Sequence, residues 1–132
     1  MLLLRLIIII FVGLLFACAT SAAPEKSTRQ ITEADAGRQI ELHAGDMLEL
    51  TLPANPTTGY QWETSDLDSA ILRPVGEPTF KPSSNAVGSA GQVTLRFEAV
   101  GVGQADLKLI LHRPFEKDVA PIQTFEATVI VK

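Results

Sequence analysis

Apolar and polar residues alternate along most of the chain beyond residue 38. A period of two puts every second side chain on one face, which is typical of β-strands with a single buried face. The pattern predicts about seven short strands. The candidate segments are residues 39–42, 48–52, 60–63, 71–75, 78–80, 93–99, 107–112 and 125–131.

Short turn segments separate these strands. Ala44-Gly45-Asp46 follows the first strand, and residues 101–104, with two glycines, join two of the longer ones. Only residues 65–70 hint at a helical turn, and no segment has the period of a long amphipathic helix. Regularly spaced short strands therefore predict an all-β sandwich, with Trp62 near its core.

The N-terminal segment has a different character. Arg5 precedes an almost unbroken apolar run at residues 6–16, and small residues follow at once. This arrangement is typical of a secretory signal peptide, and the run is shorter than the roughly 20 residues of a spanning helix. We predict a signal peptide at residues 1–18, a polar tether at residues 19–37 and a single domain at residues 38–132.

Cys18 is the only cysteine in the chain, so an intramolecular disulfide is impossible. Residues 15–18, Leu-Phe-Ala-Cys, resemble a bacterial lipobox, in which the cysteine carries the lipid. Ordinary cleavage near Ala19 or Ala23 is the alternative. We therefore expect an exported protein, either a periplasmic or outer-membrane lipoprotein attached through Cys18 or a secreted one.

The charge balance excludes one class of partner. The chain has 11 basic and 15 acidic residues and a net charge of −4, and the predicted signal segment contributes one arginine and no acid. Nucleic-acid binding requires a basic stripe that neutralises phosphates. Because the sequence contains no cluster of lysine and arginine, nucleic acid is not an expected partner.

Catalytic and metal-binding groups are sparse. The two histidines, His43 and His112, are predicted to be solvent-facing or cross-strand residues of the sheets. Isolated histidines do not form a zinc or iron site, and the acidic pairs 33/35 and 66/68 fall in polar segments where solvated charges are expected. We therefore expect neither an enzyme nor a bound cofactor.

One loop between two predicted strands has an unusual composition. Its asparagine can bond the backbone ahead of it, its proline fixes φ and holds the preceding residue extended, and its glycine permits a positive φ. The result is a stiff projection that exposes two threonine hydroxyls, although the same residue pairs are common in ordinary turns. The segment is Asn55-Pro56-Thr57-Thr58-Gly59-Tyr60.

This segment resembles the first binding loop of the chagasin family of cysteine-protease inhibitors, which reads Asn-Pro-Thr-Thr-Gly followed by an aromatic residue. The second loop of that family is a short glycine-bearing segment before a long strand, and the third is Arg-Pro-Trp. Phe115 here replaces the tryptophan, and Ala90 stiffens the second loop. The resemblance covers roughly residues 31–132. The matching segments are Gly88-Ser89-Ala90-Gly91 and Arg113-Pro114-Phe115.

The resemblance implies an immunoglobulin-like sandwich whose three loops form a wedge that enters the cleft of a papain-like cysteine protease. Thr57 would approach the catalytic Cys/His pair of the target, and neighbouring backbone would hydrogen-bond around it. Residues 88–91 would pair with one edge of the cleft. Arg113 and Phe115 would lie on the opposite wall, against aromatic and acidic groups of the target.

Two other functions remain open from the residues alone. One is a lipid-anchored envelope module that binds a glycan or a protein partner, and the other is a purely structural envelope module with a mobile Thr57 loop. Neither requires the three motifs to occur together. Their co-occurrence favours the inhibitor, with contact to a membrane only through Cys18.

Overall fold

The computed structural model describes residues 19, 22, 23 and 25–132. In this part of the chain there are nine strands, and the only helical pieces are the 3-10 turns Glu33–Asp35 and Pro56–Thr58. The all-β prediction is confirmed. The strands are β1 Thr28–Thr32, β2 Gln39–Leu42, β3 Met47–Ala54, β4 Gln61–Ser65, β5 Leu72–Pro74, β6 Thr79–Pro82, β7 Gly91–Ala99, β8 Gly103–His112 and β9 Gln123–Val131.

The predicted signal segment at residues 1–18, including Cys18, lies outside the described residues. No helix in the described part of the chain is both long enough and apolar enough to cross a membrane.

The nine strands form two sheets. One has the order β1-β3-β7-β5, with β6 also pairing with β7, and the other has the order β2-β9-β8-β4. The strands before and after the turn at residues 44–46 lie in different sheets, as do β7 and β8. These turns therefore cross between the sheets. The sequence did not predict this crossing, because an alternating pattern indicates which face of a strand is buried but not which strand is its neighbour.

Alternate residues of both sheets fill one core. Phe97 and Phe125 pack with fully buried leucines. Burial of each of these side chains stabilises the fold by about 2 kcal/mol. Trp62 lies in this core as predicted. Its indole Nε1 donates to the Pro53 carbonyl oxygen at 2.9 Å, so the ring buries its apolar surface while its one polar group stays paired.

The tether predicted for residues 19–37 is wrong for Thr28–Thr32, which form β1. This strand pairs in parallel with β3, from Thr28 opposite Met47 to Thr32 opposite Thr51. Ile31 is its one buried residue, so the segment has no readable hydrophobic period. The backbone bonds to β3 and the burial of Ile31 extend the domain to at least residue 28.

A buried carboxylate fixes the end of the sandwich at which β1 begins. Asp46 accepts backbone N–H bonds from His43 at 2.8 Å and from Ser27 at 3.1 Å. The bond from His43 is the largest influence that holds the pKa of Asp46 below its ordinary value. The ionised side chain therefore ties the segment before β1 to the turn between β2 and β3.

Candidate functional site

The topology brings the three predicted motifs to one end of the sandwich. Strand β3 ends at Ala54, directly opposite Gly91, where β7 begins. Strand β8 of the other sheet ends at His112, opposite Gln61 at the start of β4. The segments that leave these positions are loop 1 (residues 55–60), loop 2 (residues 83–90) and loop 3 (residues 113–122). We call this end of the molecule the loop end.

Loop 1 adopts the conformation that its residues predict. Asn55 is extended, with φ −142°, and its side chain accepts the backbone N–H of Thr57 at 3.2 Å. Pro56 begins the 3-10 turn, and Gly59 ends it in the left-handed region at φ +81°. Each residue thus satisfies a local requirement, and the loop is stiffened by its own backbone and cap.

The two threonine hydroxyls of loop 1 are exposed but are not free donors. The Thr57 hydroxyl donates to Asn55 Oδ1 at 2.6 Å, and the Thr58 hydroxyl donates to the Asn55 backbone carbonyl at 2.7 Å. The prediction of two exposed hydroxyls is therefore refined. Both groups hold the turn together, and each oxygen can still accept a bond from a partner.

Loop 2 is the tip of a hairpin between β6 and β7. The Ser83 N–H donates to the Ala90 carbonyl at 2.9 Å and closes the base of the loop. Gly88 has φ +77°, and its carbonyl accepts Asn55 Nδ2 at 3.3 Å. This side-chain bond joins loop 2 to loop 1.

The second motif divides between the loop and the strand. Gly91 is the first residue of β7, and a Cβ atom on it would lie 2.1 Å from the Lys81 carbonyl oxygen and 2.7 Å from Pro82 Cα. A glycine is therefore required for the close approach of β6. Ser89 donates its hydroxyl to the Ala90 carbonyl at 2.9 Å, so both residues help to shape the tip.

Arg113 in loop 3 makes its contacts within the chain. Its Nε donates to the Thr58 carbonyl at 3.0 Å, and its guanidinium lies 4.4 Å from the centre of the Tyr60 ring. Its Nη1 donates to Glu116 Oε1 at 2.8 Å, and this bond is the main reason that the pKa of Arg113 is raised. In the free chain the guanidinium that the resemblance assigns to the target therefore lies on loop 1.

Phe115 presents a large apolar surface at the loop end. A turn through Pro114, closed by the Glu116 N–H to the Arg113 carbonyl at 3.0 Å, places the Phe115 ring beside Gly59. A Cβ atom on Gly59 would lie 3.1 Å from Phe115 Cε1. The residue nevertheless remains 71% exposed, so most of its area is open to a partner.

Other exposed apolar side chains lie in the same loops and were not singled out in the sequence. Val87 is fully exposed at the tip of loop 2, and Val119 and Ile122 are exposed in loop 3. Apolar residues in segments rich in glycine, proline and serine are the signal that would have identified them. Together with Phe115 they give the loop end an apolar character that favours binding to another protein.

His112 is a cross-strand residue of β8 as predicted, whereas His43 is exposed to solvent in the turn after β2 and not in a strand. His112 Nε2 contacts Glu63 Oε2 across the strands at 2.5 Å, and His43 is exposed near Asp46. Among residues 25–132, no group of three His, Cys, Asp or Glu side chains is arranged to hold a metal ion. The arrangement at the loop end is suited to binding through shape, backbone groups and apolar area.

Comparison with known proteins identifies relatives of the chain. Residues 41–129 match the model of the family described as Chagasin family peptidase inhibitor I42. Chagasin from Trypanosoma cruzi is 26% identical over 92 residues, which is 67% of this chain and 84% of that inhibitor. Residues 41–129 contain strands β3 to β8 and all three loops of the loop end, whereas β1 lies before them.

Solved structures with the same fold include EhICP2, a cysteine protease inhibitor from Entamoeba histolytica. It superimposes with a TM-score of 0.72 at 23% identity, over 83% of this chain and all of that one. PbICP-C, solved in complex with falcipain-2, has a TM-score of 0.53 at 16% identity, over 84% of this chain and 95% of that one. The predicted immunoglobulin-like sandwich is thereby confirmed, and the chain belongs to the chagasin family of peptidase inhibitors.

Proposed function

We propose that this protein is a reversible inhibitor of papain-like cysteine proteases, which it blocks by filling the active-site cleft with its three loops. The observation that carries the proposal is the set of hydrogen bonds that braces loop 1. Its turn is held by Asn55 and is joined to loop 2 and loop 3 by side-chain hydrogen bonds. A surface that is ordered before binding loses little conformational entropy in the complex, so a modest interface can bind tightly.

In the proposed complex Thr57 lies at the catalytic Cys/His pair of the protease. Residues 88–91 lie along one edge of the cleft, and Phe115 lies on the opposite wall as an apolar anchor. Buried aromatic side chains commonly dominate the energy of such interfaces. The complex of the related fold PbICP-C with falcipain-2 supports a cysteine protease as the partner.

The conformation of loop 1 also explains why such an inhibitor would resist cleavage. Catalysis requires the scissile carbonyl to be aligned with the nucleophile in a near-attack geometry. The backbone at residues 56–58 is a 3-10 turn, closed by the Gly59 N–H to the Pro56 carbonyl at 3.1 Å. This turn presents no extended peptide to the catalytic thiolate.

The purified protein is expected to inhibit papain in competition with substrate and to remain uncleaved. Thr57→Ala removes a hydroxyl that braces the turn and a methyl group at the tip, so the inhibition constant should rise about 3- to 10-fold. Steady-state inhibition of papain and a cathepsin measures this change. Thr28→Ala is the matched control and should inhibit like the wild type, because Thr28 begins β1 opposite Met47, at the end of the sandwich away from the loops.

Thermal melts of both threonine variants show whether the fold is intact. If the wild-type protein inhibits no papain-like protease, or if these enzymes degrade it, the proposed function is wrong. The glycan- or protein-binding module would then become the working hypothesis.

We also propose that the protein is exported and held at a membrane through Cys18, as a periplasmic or outer-membrane lipoprotein. The segment that leads to Cys18 leaves the sandwich at Ser27, which is tied to Asp46 at the end opposite the loops. The eight residues of β3 separate the two ends by roughly 23 Å. An anchor at Cys18 would therefore leave the loop end free to meet a protease.

Cys18→Ser is expected to move the protein from the membrane fraction to the soluble envelope fraction, because serine lacks the thiol to which the lipid would be attached. Fractionation of cells followed by immunoblotting measures the shift. Equal fractionation of wild type and Cys18→Ser would instead indicate plain signal cleavage and secretion.

A further inference from the structure

The guanidinium of Arg113 is shared among three groups of its own chain. Its Nε bonds the Thr58 carbonyl, its Nη1 bonds Glu116, and its face lies over the Tyr60 ring. A planar guanidinium can make these contacts together because its donors and its face point in different directions. Arg113 therefore joins loop 3 to both sides of Gly59.

Glu116 completes this arrangement although it lies outside the three motifs. Its carboxylate is 2.8 Å from Arg113 Nη1, and its backbone N–H closes the turn on the Arg113 carbonyl at 3.0 Å. The side chains of both residues are only about one third exposed, with values of 34% and 31%. A charge-assisted bond that is partly shielded from water holds its geometry better than an exposed ion pair.

We propose that Glu116 is a positioning residue of the inhibitor: it holds the Arg113 guanidinium on the Thr58 carbonyl and the Tyr60 ring, so that loops 1 and 3 form one rigid surface before a protease binds. This inference rests on the proposed inhibitor function and adds a residue that the family-like motifs do not include. Arg113 then acts through loop 1 instead of contacting an acidic group on the target.

The opposite side of loop 1 is braced independently. Asn55 Nδ2 bonds the Gly88 carbonyl at 3.3 Å and joins loop 1 to loop 2. Loss of the bond between Glu116 and Arg113 should therefore loosen the packing of loop 1 on loop 3. The hydrogen bond between loop 1 and loop 2 should stay in place. The proposal therefore predicts a change confined to the side of loop 1 that faces loop 3.

Glu116→Gln tests the proposal, since it removes the charge and keeps the shape of the side chain. Arg113→Lys keeps a positive charge but cannot bond Thr58 and Glu116 in the same fork geometry. Glu126→Gln is the matched control, because it removes one carboxylate from an exposed ion pair with Lys108 on the sheet. All three variants and the double variant at residues 113 and 116 are compared with the wild-type protein.

Two measurements and a control for the fold are made on each protein. Amide hydrogen exchange of the free inhibitor reports the opening of loop 1 at Gly59 and Tyr60 without any protease present. Association and dissociation rates with papain report binding, and thermal melts report the fold.

Glu116→Gln and Arg113→Lys are each expected to speed exchange at Gly59 and Tyr60 several-fold and to raise the inhibition constant about 5- to 20-fold, mainly through faster dissociation. The double variant should lose no more than the larger single loss, because both changes break one arrangement. Glu126→Gln should match the wild type in both measurements.

The proposal is overturned if Glu116→Gln leaves exchange at Gly59 and Tyr60 unchanged, or inhibits as well as or better than the wild type. The second result would mean that Glu116 restrains Arg113 from a direct contact with the target. If the wild-type protein inhibits no protease, the proposed function fails, while the exchange measurement still decides whether Glu116 holds the loops.

Discussion

Gly59→Val is expected to raise the inhibition constant for papain at least about 100-fold. Gly59 has φ +81°, and a β-branched residue in this region costs about 1–3 kcal/mol. Its new Cβ atom would also lie 3.1 Å from the Phe115 ring, so the aromatic anchor is pushed aside at the same time. Strain in loop 1 and displacement of loop 3 therefore act together on the proposed wedge.

Gly37→Val separates these two effects. Gly37 has nearly the same backbone angle, φ +78°, but a Cβ atom there meets nothing within 4 Å. Gly37→Val should therefore lower the melting temperature through strain while the inhibition constant of the folded protein stays near the wild-type value. Inhibition constants and melts of both variants make the comparison. Equal inhibition by Gly59→Val and wild type would exclude loop 1 from the interface.

Phe115→Ala is expected to cost about 1–3 kcal/mol of binding free energy, the range of a central aromatic anchor. Phe115 is 71% exposed in the free protein, so removal of its ring takes away contact area without opening the core. Phe115→Trp should bind equally well or better, since the larger ring adds apolar area. Inhibition constants against papain and a cathepsin measure both changes.

Val102→Ala is the matched control for Phe115→Ala. Val102 is also exposed, at 72%, but it lies in the turn between β7 and β8, at the end of the sandwich opposite the loops. Truncation there should leave inhibition unchanged. If Phe115→Ala inhibits as strongly as Val102→Ala, loop 3 supplies no anchor and the proposed contact on the second wall of the cleft is wrong.

Strand assignment from the sequence succeeded wherever a buried face left a period of two. Strands β7, β8 and β9 each bury alternate residues along most of their length, so the pattern located them directly. Strand β1 was missed because one buried residue, Ile31, produces no period. Its pairing with β3 depends on backbone hydrogen bonds, which carry no side-chain signal.

The conformation of loop 1 was determined by its own residues. Asn55 caps the turn, Pro56 begins it and Gly59 ends it, and each of these effects acts within five residues of sequence. Local hydrogen bonds and steric limits on φ are sufficient for this, so the sequence alone predicted a stiff projection.

Only the tertiary structure decided what loop 1 touches. Arg113 lies 55 residues beyond Thr58, and the two meet because β3 and β8, in opposite sheets, end at the same end of the sandwich. The order of strands in each sheet is set by the packing of the whole core, which no local pattern encodes. For this reason the motifs located the three loops in the sequence, while the contact of Arg113 with Tyr60 and Glu116 became visible only in the fold.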